Sequence, residues 1–176
     1  VERRLELTRA CLAVFRDFMN PVGVITKSAL VARDADLLAE LAANQAAHVF
    51  LSITTLEDEL AGRLEPRAAR PPRRLQAIET LARAGVPVGV MVAPLIPGLN
   101  DAEIPAILAA AADAGARSAS YVLLRLPRPV DALFADWIER HYPERRQRVL
   151  GRIRECRDGR LSDAAFGRRM RGQGVY

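Results

Sequence analysis

The chain has 176 residues, half of them hydrophobic, and a formal net charge of +5. That length suits one domain, and that apolar fraction builds a real core, which excludes wholesale disorder. The longest apolar stretch, Val86 to Leu99, is broken by Pro87, Pro94 and Pro97 and is too short to cross a bilayer; no secretory leader opens the chain, so a soluble cytoplasmic protein without membrane attachment is expected.

Lys27 is the only lysine among 26 basic residues, a bias that reflects GC-rich codon usage more than function. The basic balance admits nucleic acid or phosphorylated partners, with a solvated arginine surface as the plainer reading. The two cysteines, Cys11 and Cys156, stand far apart and form neither a disulfide framework nor a metal motif.

In chain order, Glu2 to Asn20 repeats Leu7, Cys11, Phe15 and Phe18 at helical spacing and stops before Pro21. Val22 to Thr26 is an apolar run that reads as a buried strand. Asp34 to Ala43 is helical with Leu37, Leu38 and Leu41 on one face, and His48 to Ile53 is the second strand. A long connection follows, with a short helix over Glu57 to Leu64. Arg74 to Ala84 is a helix closed by Gly85.

Val86 to Ala93 is the third strand, and Asp101 to Ala114 is a helix with Pro105 in its first turn, where a missing amide hydrogen costs little. Ser120 to Leu126 is the fourth strand. Helices over Asp131 to His141 and Glu144 to Arg157 precede a glycine- and arginine-rich tail from Gly159. Four consecutive strand–helix units imply a parallel sheet covered by helices. The expected division is 1–130 for the barrel part and 131–176 for the helices and basic tail.

In such folds function gathers at the carboxyl ends of the strands. Those ends read Thr26-Lys27-Ser28, Ser52 with Thr54-Thr55, Pro94 to Asp101, and Arg125. The opposite ends are blander, so one polar face is expected. Cys11 and Cys156 each fall on the apolar stripe of a helix and read as core. Leu133, Phe134, Trp137 and Ile138 also read as core, and His48 and His141 as structural.

The segments Val24-Ile25-Thr26-Lys27-Ser28, Ser52-Ile53-Thr54-Thr55, Leu64-Glu65-Pro66-Arg67, Val90 to Asp101, Tyr121 to Pro127, and Phe166 to Gly172 stand out together. They resemble radical S-adenosylmethionine (SAM) proteins of the DNA repair photolyase-like group, related to spore photoproduct lyase. The resemblance covers nearly the whole chain in the right order. It implies an α/β fold, the C-terminal four βα units of a (βα)6 partial TIM-type barrel with a C-terminal helical extension. It also implies a radical enzyme, which needs SAM, a 4Fe-4S cluster and an external electron donor, and which acts on an unidentified substrate, nucleic acid among the options.

The cluster of that family is held by a Cx3Cx2C segment, which has no match here; the resemblance thus places the ligating cysteines before Val1 and predicts that the 176-residue piece is poorly soluble, binds cofactor weakly and is inactive alone. What the resemblance leaves to this chain is the cofactor's nucleoside side. Pro94-x-Ile96-x-Gly98-x-x-Asp101 is similar to the family's Gly-x-Ile-x-Gly-x-x-Glu signature, with proline for glycine and aspartate for glutamate. By that likeness Pro94, Ile96 and Gly98 support adenine, Leu124 contacts it, and Ser52 and Thr54 meet the ribose or aminoacyl end. The ordinary alternatives are a helix cap at Asn100 or Asp101, a self-bonded serine and a core leucine.

For catalysis the candidates are Lys27 and Arg67. Arginine forks bind carboxylates in bidentate fashion, which suits Arg67 to the carboxylate of the cofactor or of a substrate. Lys27, at a strand's carboxyl end, also suits a different class, a Schiff-base barrel lyase. A third reading is a non-enzymatic basic module that binds nucleic acid, with steep salt dependence as its signature.

Overall fold

Alternation of strand and helix governs the backbone of the computed structural model, which describes residues 1–162. Helices α1 (Glu2–Leu5) and α2 (Leu7–Asp17) precede β1 (Val22–Thr26). Then come α3 (Ala35–Ala43), β2 (Ala47–Ser52), α4 (Asp58–Leu64), α5 (Pro71–Arg83), β3 (Val88–Leu95) and α6 (Ile104–Asp113). The series ends with β4 (Ser118–Leu123), α7 (Val130–His141) and α8 (Arg146–Glu155). The strands make one sheet in the order β1-β2-β3-β4. β2 runs parallel to β1 and to β3, with Val24 opposite Val49 and Leu51 opposite Val90. This is an α/β fold consistent with part of a TIM-type barrel, in which each crossover adds the next strand beside the last. The tail segment Phe166 to Gly172 lies outside the described residues.

The chain forms two compact units, one comprising Val1–Met91 and Pro105–Ser120, the other Val92–Ile104 and the chain from Tyr121 onward. In the first unit the sheet has two unlike faces, because side chains alternate along each strand. Val49, Leu51, Val88 and Val90 are almost fully buried, and α3 and α5 pack against β2. The other face holds His48 and Phe50, which are half-buried and stacked with ring centroids 4.6 Å apart, and Ile25, which is 61% exposed on the edge strand. Gly89 pairs with Phe50 in register. A Cβ there would run into the Phe50 ring and the Ser118 hydroxyl, so the aromatic occupies space that only glycine leaves open.

The N-terminal helix departs from the expected single run. Glu6 adopts a left-handed backbone and separates α1 from α2. The expected apolar stripe is also not the buried face: Leu7 is 54% and Phe18 80% exposed, Cys11 is exposed, and Leu12 is the buried residue of α2. The reason is the docking to α3. Arg9, Leu12 and Arg16 share a helix face, and Arg9 pairs with Asp34 and Asp36 while Arg16 reaches Glu40 at 3.6 Å. Arg33 adds bonds to Asp34 at 2.7 and 2.9 Å, so the fully buried Asp34 is held by two guanidinium groups. Core was therefore the wrong reading for Cys11, because this ion-paired face turned its stripe outward.

In the second unit α7 buries Phe134 and Ile138, four residues apart, while Leu133 is 63% exposed and Trp137 half-buried. The four-residue stripe expected as core thus narrows to two, since Leu133 falls off the inward face. Trp137 instead lies against Phe134, His141 and Tyr142, with ring centroids 5.2 to 5.9 Å away. Helix α8 is fixed by Val149, Leu150 and Ile153, all buried, and Cys156 is buried at its end, as the sequence led one to expect.

Helix α5 starts at Pro71, three residues before the expected start at Arg74, because Pro71 and Pro72 fill the first helical positions, where no amide hydrogen is needed. Filling the space at Gly89 tests the account of the open sheet face. Gly89→Ala should destabilise the chain by roughly 1–3 kcal/mol, the usual range for overpacking. Urea unfolding would measure this, and Phe50→Leu in the same chain should recover part of the loss.

Candidate functional site

The carboxyl ends of β1 and β2 carry the densest polar cluster in the first unit. Lys27 follows β1, Thr54 follows β2, and Glu65 closes α4. The Lys27 ammonium donates to the Glu65 carboxylate and to Thr54 Oγ1 at 3.2 Å. Thr54 in turn donates to Glu65 Oε1 at 2.9 Å. Arg74, on α5, donates from Nη2 to Glu65 Oε2 at 2.5 Å, from Nη1 to the Ser52 carbonyl at 2.7 Å and from Nε to the Ala69 carbonyl at 2.7 Å. A buried guanidinium with each of its three nitrogens engaged is the arrangement that makes burial of a cation tolerable.

Burial opposes ionisation of Glu65, but the bonds from Lys27 and Arg74 outweigh it and hold its carboxyl below the ordinary glutamate range. Lys27 is 38% exposed at its side chain, whereas Arg74 is 3% exposed. The lysine is therefore the member of the cluster that reaches solvent.

Other expected residues are placed as follows. Ser52 is buried, 4% exposed, at the last position of β2. Thr54 belongs to the cluster. Arg67, two residues after Glu65, is exposed in the connection. The guanidinium that the fold brings to the cluster is Arg74. Sequence reasoning passed over it by starting the helix there instead of at Pro71, and reading the Pro71-Pro72 pair as a helix start would have put Arg74 in the first turn, facing the strand ends. Arg70 donates to the Asp58 carbonyl at 2.9 Å and covers Gly62.

The second unit holds the turn after β3. Pro94 follows a cis peptide bond. Ile96 is fully buried, so its side chain supports the turn from within. Gly98 has φ +81°, a left-handed conformation that suits glycine. Asn100 is fully buried, and its side chain points back into the turn. Its Oδ1 accepts from the Ile96 amide at 2.7 Å, and its Nδ2 donates to the Pro94 carbonyl at 3.0 Å. Asn100 is thus an internal brace; its side chain makes no capping bond to the following 3-10 turn. Leu124 donates its amide to the Leu95 carbonyl at 2.8 Å and is 9% exposed.

The donor set of the first unit, an ammonium and two hydroxyl side chains at strand ends, suits the polar parts of S-adenosylmethionine, and the apolar turn of the second suits an adenine. An iron–sulfur cluster does not fit the described residues. Among them no three histidine, cysteine or acidic side chains come together. Cys11 is exposed on α2, and burial pushes the Cys156 thiol up, away from the thiolate a cluster needs.

Comparison with known proteins is consistent with these features. The family model described as the radical SAM superfamily matches residues 2–111. An uncharacterized protein of Mycobacterium tuberculosis is 32% identical over 138 residues, which are 77% of this chain and 39% of that protein. An uncharacterized protein of Methanocaldococcus jannaschii is 32% identical over 103 residues, 58% of this chain and 38% of the other. One from Acidianus two-tailed virus is 43% identical over 72 residues, 41% and 23% respectively. The chain spans less than half the length of these relatives. No helix among the described residues is long and apolar enough to cross a membrane.

Glu65→Gln should cost about 3 kcal/mol at neutral pH, the scale for breaking a buried ion pair. Folding lowers this carboxyl's pKa, so its contribution is full above the ordinary glutamate range and is lost as pH falls through the lower folded value. Urea melts across pH should therefore show the gap between wild type and variant closing in acid.

Proposed function

The chain belongs to the radical SAM superfamily, and on that premise we propose that it forms the S-adenosylmethionine-binding part of a radical enzyme. One observation carries the reading beyond family membership. The ammonium of Lys27, partly open to solvent, is held at the carboxyl ends of the strands by Glu65 and Thr54. That is the end of a parallel sheet where ligands bind.

The residues divide the work by chemistry. Lys27 presents a positive charge suited to a carboxylate, with Glu65 and Arg74 fixing its position. Ser52 and Thr54 offer hydroxyls suited to a ribose or an aminoacyl group. Pro94, Ile96, Gly98 and Leu124 shape an apolar, closely turned main chain suited to adenine. Arg67, exposed beside the cluster, is suited to an anionic substrate. When bound, the cofactor supplies a 5′-deoxyadenosyl radical by reductive cleavage, with an electron from an external donor. The cluster that mediates this lies outside what the described residues hold, and no step is assigned to it.

The segments around Lys27, Glu65 and Gly98 support placement in the DNA repair photolyase-like group. The net charge of +5 supports an anionic substrate, nucleic acid among them. The decisive measurement uses the protein as its gene encodes it, reconstituted anaerobically with iron and sulfide. Reductant and S-adenosylmethionine should then yield 5′-deoxyadenosine, and Lys27→Ala should raise the KM for the cofactor by about tenfold, the effect of a lost charge-assisted bond. No 5′-deoxyadenosine from a preparation with a full cluster content would end this reading.

A further inference from the structure

Within the second unit three arginines of the C-terminal helical extension converge on the two segments assigned above to adenine. Arg148 and Arg152 are four residues apart, so they project from one face of α8. Arg148 Nη2 donates to the Gly98 carbonyl at 2.8 Å. Arg152 Nη1 pairs with Asp101 Oδ2 at 2.8 Å. Just beyond the helix, Arg157, 5% exposed, donates from Nη2 to the Leu124 carbonyl at 2.8 Å. The three bonds therefore fall on Gly98, Asp101 and Leu124.

The turn cannot supply these contacts itself. Its internal bonds run from the amides of Leu99 and Asn100 to the Ile96 carbonyl and through the Asn100 side chain. They tie 94–96 to 99–100 and leave the Gly98 carbonyl to Arg148. Gly98 also has its missing side chain on the helix side. A Cβ there would lie 3.3 Å from Arg152 Cδ and 3.4 Å from Arg148 Nε. The glycine that the sequence suggests for close approach to a ligand is thus, in the structure, the point where α8 approaches the turn. Helix α8 cannot easily slide, because Val149, Leu150 and Ile153 are buried on its other face.

From this we infer that Arg148, Arg152 and Arg157 are positioning residues that set the turn at 96–101 and the end of β4 for the cofactor's nucleoside. The inference rests on the reading of those segments as an adenine site. None of the three arginines needs to touch the ligand; each acts through a main-chain carbonyl or through Asp101. Helix α8 becomes in this way a functional part of the site rather than a covering element, and changes in its sequence should tune cofactor affinity.

The test uses the protein as its gene encodes it, with S-adenosylhomocysteine as the probe, and compares wild type with R148M/R152M, R152K and R157M. Three readouts are taken: amide hydrogen exchange at 96–101 and 124, calorimetric affinity, and the urea midpoint. In R148M/R152M, exchange at 98–101 and the dissociation constant should both rise by roughly tenfold, with little change in the midpoint, because partly exposed arginine pairs add little to global stability. R157M should raise exchange at 124 and the dissociation constant likewise, with some fall in the midpoint because Arg157 is buried. R152K should keep most of the affinity, since an ammonium can still pair with Asp101.

Unchanged exchange in the variants would overturn the inference. Faster exchange with unchanged affinity would overturn it equally, by showing that the turn is held but not for this ligand. If wild type itself fails to bind the probe while the variants exchange faster, the adenine reading of the turn has failed and takes the inference with it. That outcome is distinct from a failed clamp, in which wild type binds and the variants match it.

Discussion

The Glu65 carboxylate is the node on which the first unit's polar end depends. Its two oxygens face two cations from different elements, Lys27 beyond β1 and Arg74 on α5, with Thr54 beyond β2 as a third donor. Buried charges of this kind contribute modestly to net stability when complete, but removing one partner strands the others without solvent. The cluster is therefore better understood as a device for placing one ammonium than as a source of folding energy. Lys27, on the most flexible stem, would otherwise sample many rotamers; tied to Glu65 and Thr54 it samples few.

A similar economy operates in the second unit, with the main chain as the object being placed. Asn100 braces the turn from inside, and α8 holds it from outside through Gly98 and Asp101. In both units the side chains with the strongest hydrogen-bonding capacity bind protein, while the groups suited to a ligand are positioned by them. The same contrast separates Arg67, exposed in the connection between α4 and α5, from Arg74, buried on α5 with its three nitrogens bonded.

Exposed apolar side chains on α2 have their origin in the charge pattern of the first unit. Arg9 and Arg16 commit one face of α2 to the acidic side chains at Asp34, Asp36 and Glu40. Once that face is taken, Leu7, Val14 and Phe18 have no way to reach the core. Periodicity reports that a helix is amphipathic, and here its hydrophobic side is not the one that docks.

Much of the architecture was legible in the residues taken alone. Runs such as Val22 to Thr26, and a helix closed by Gly85, encode strand and helix locally, because backbone preference and side-chain period act over a few residues. The alternation of the two then leaves a parallel sheet as the natural solution, and the polar residues Lys27 and Thr54, with the proline- and glycine-shaped turn at 94–98, mark its carboxyl ends. Tertiary structure alone decided which of those residues are joined. The joining of Lys27 and Arg74 through Glu65 spans connections whose course no local pattern specifies. The reach of Arg148 and Arg152 to Gly98 and Asp101 likewise depends on how α8 packs. Long arginine side chains can find carbonyls or carboxylates almost anywhere within several ångströms, so their targets are set by packing of distant segments and not by their own neighbours in the chain.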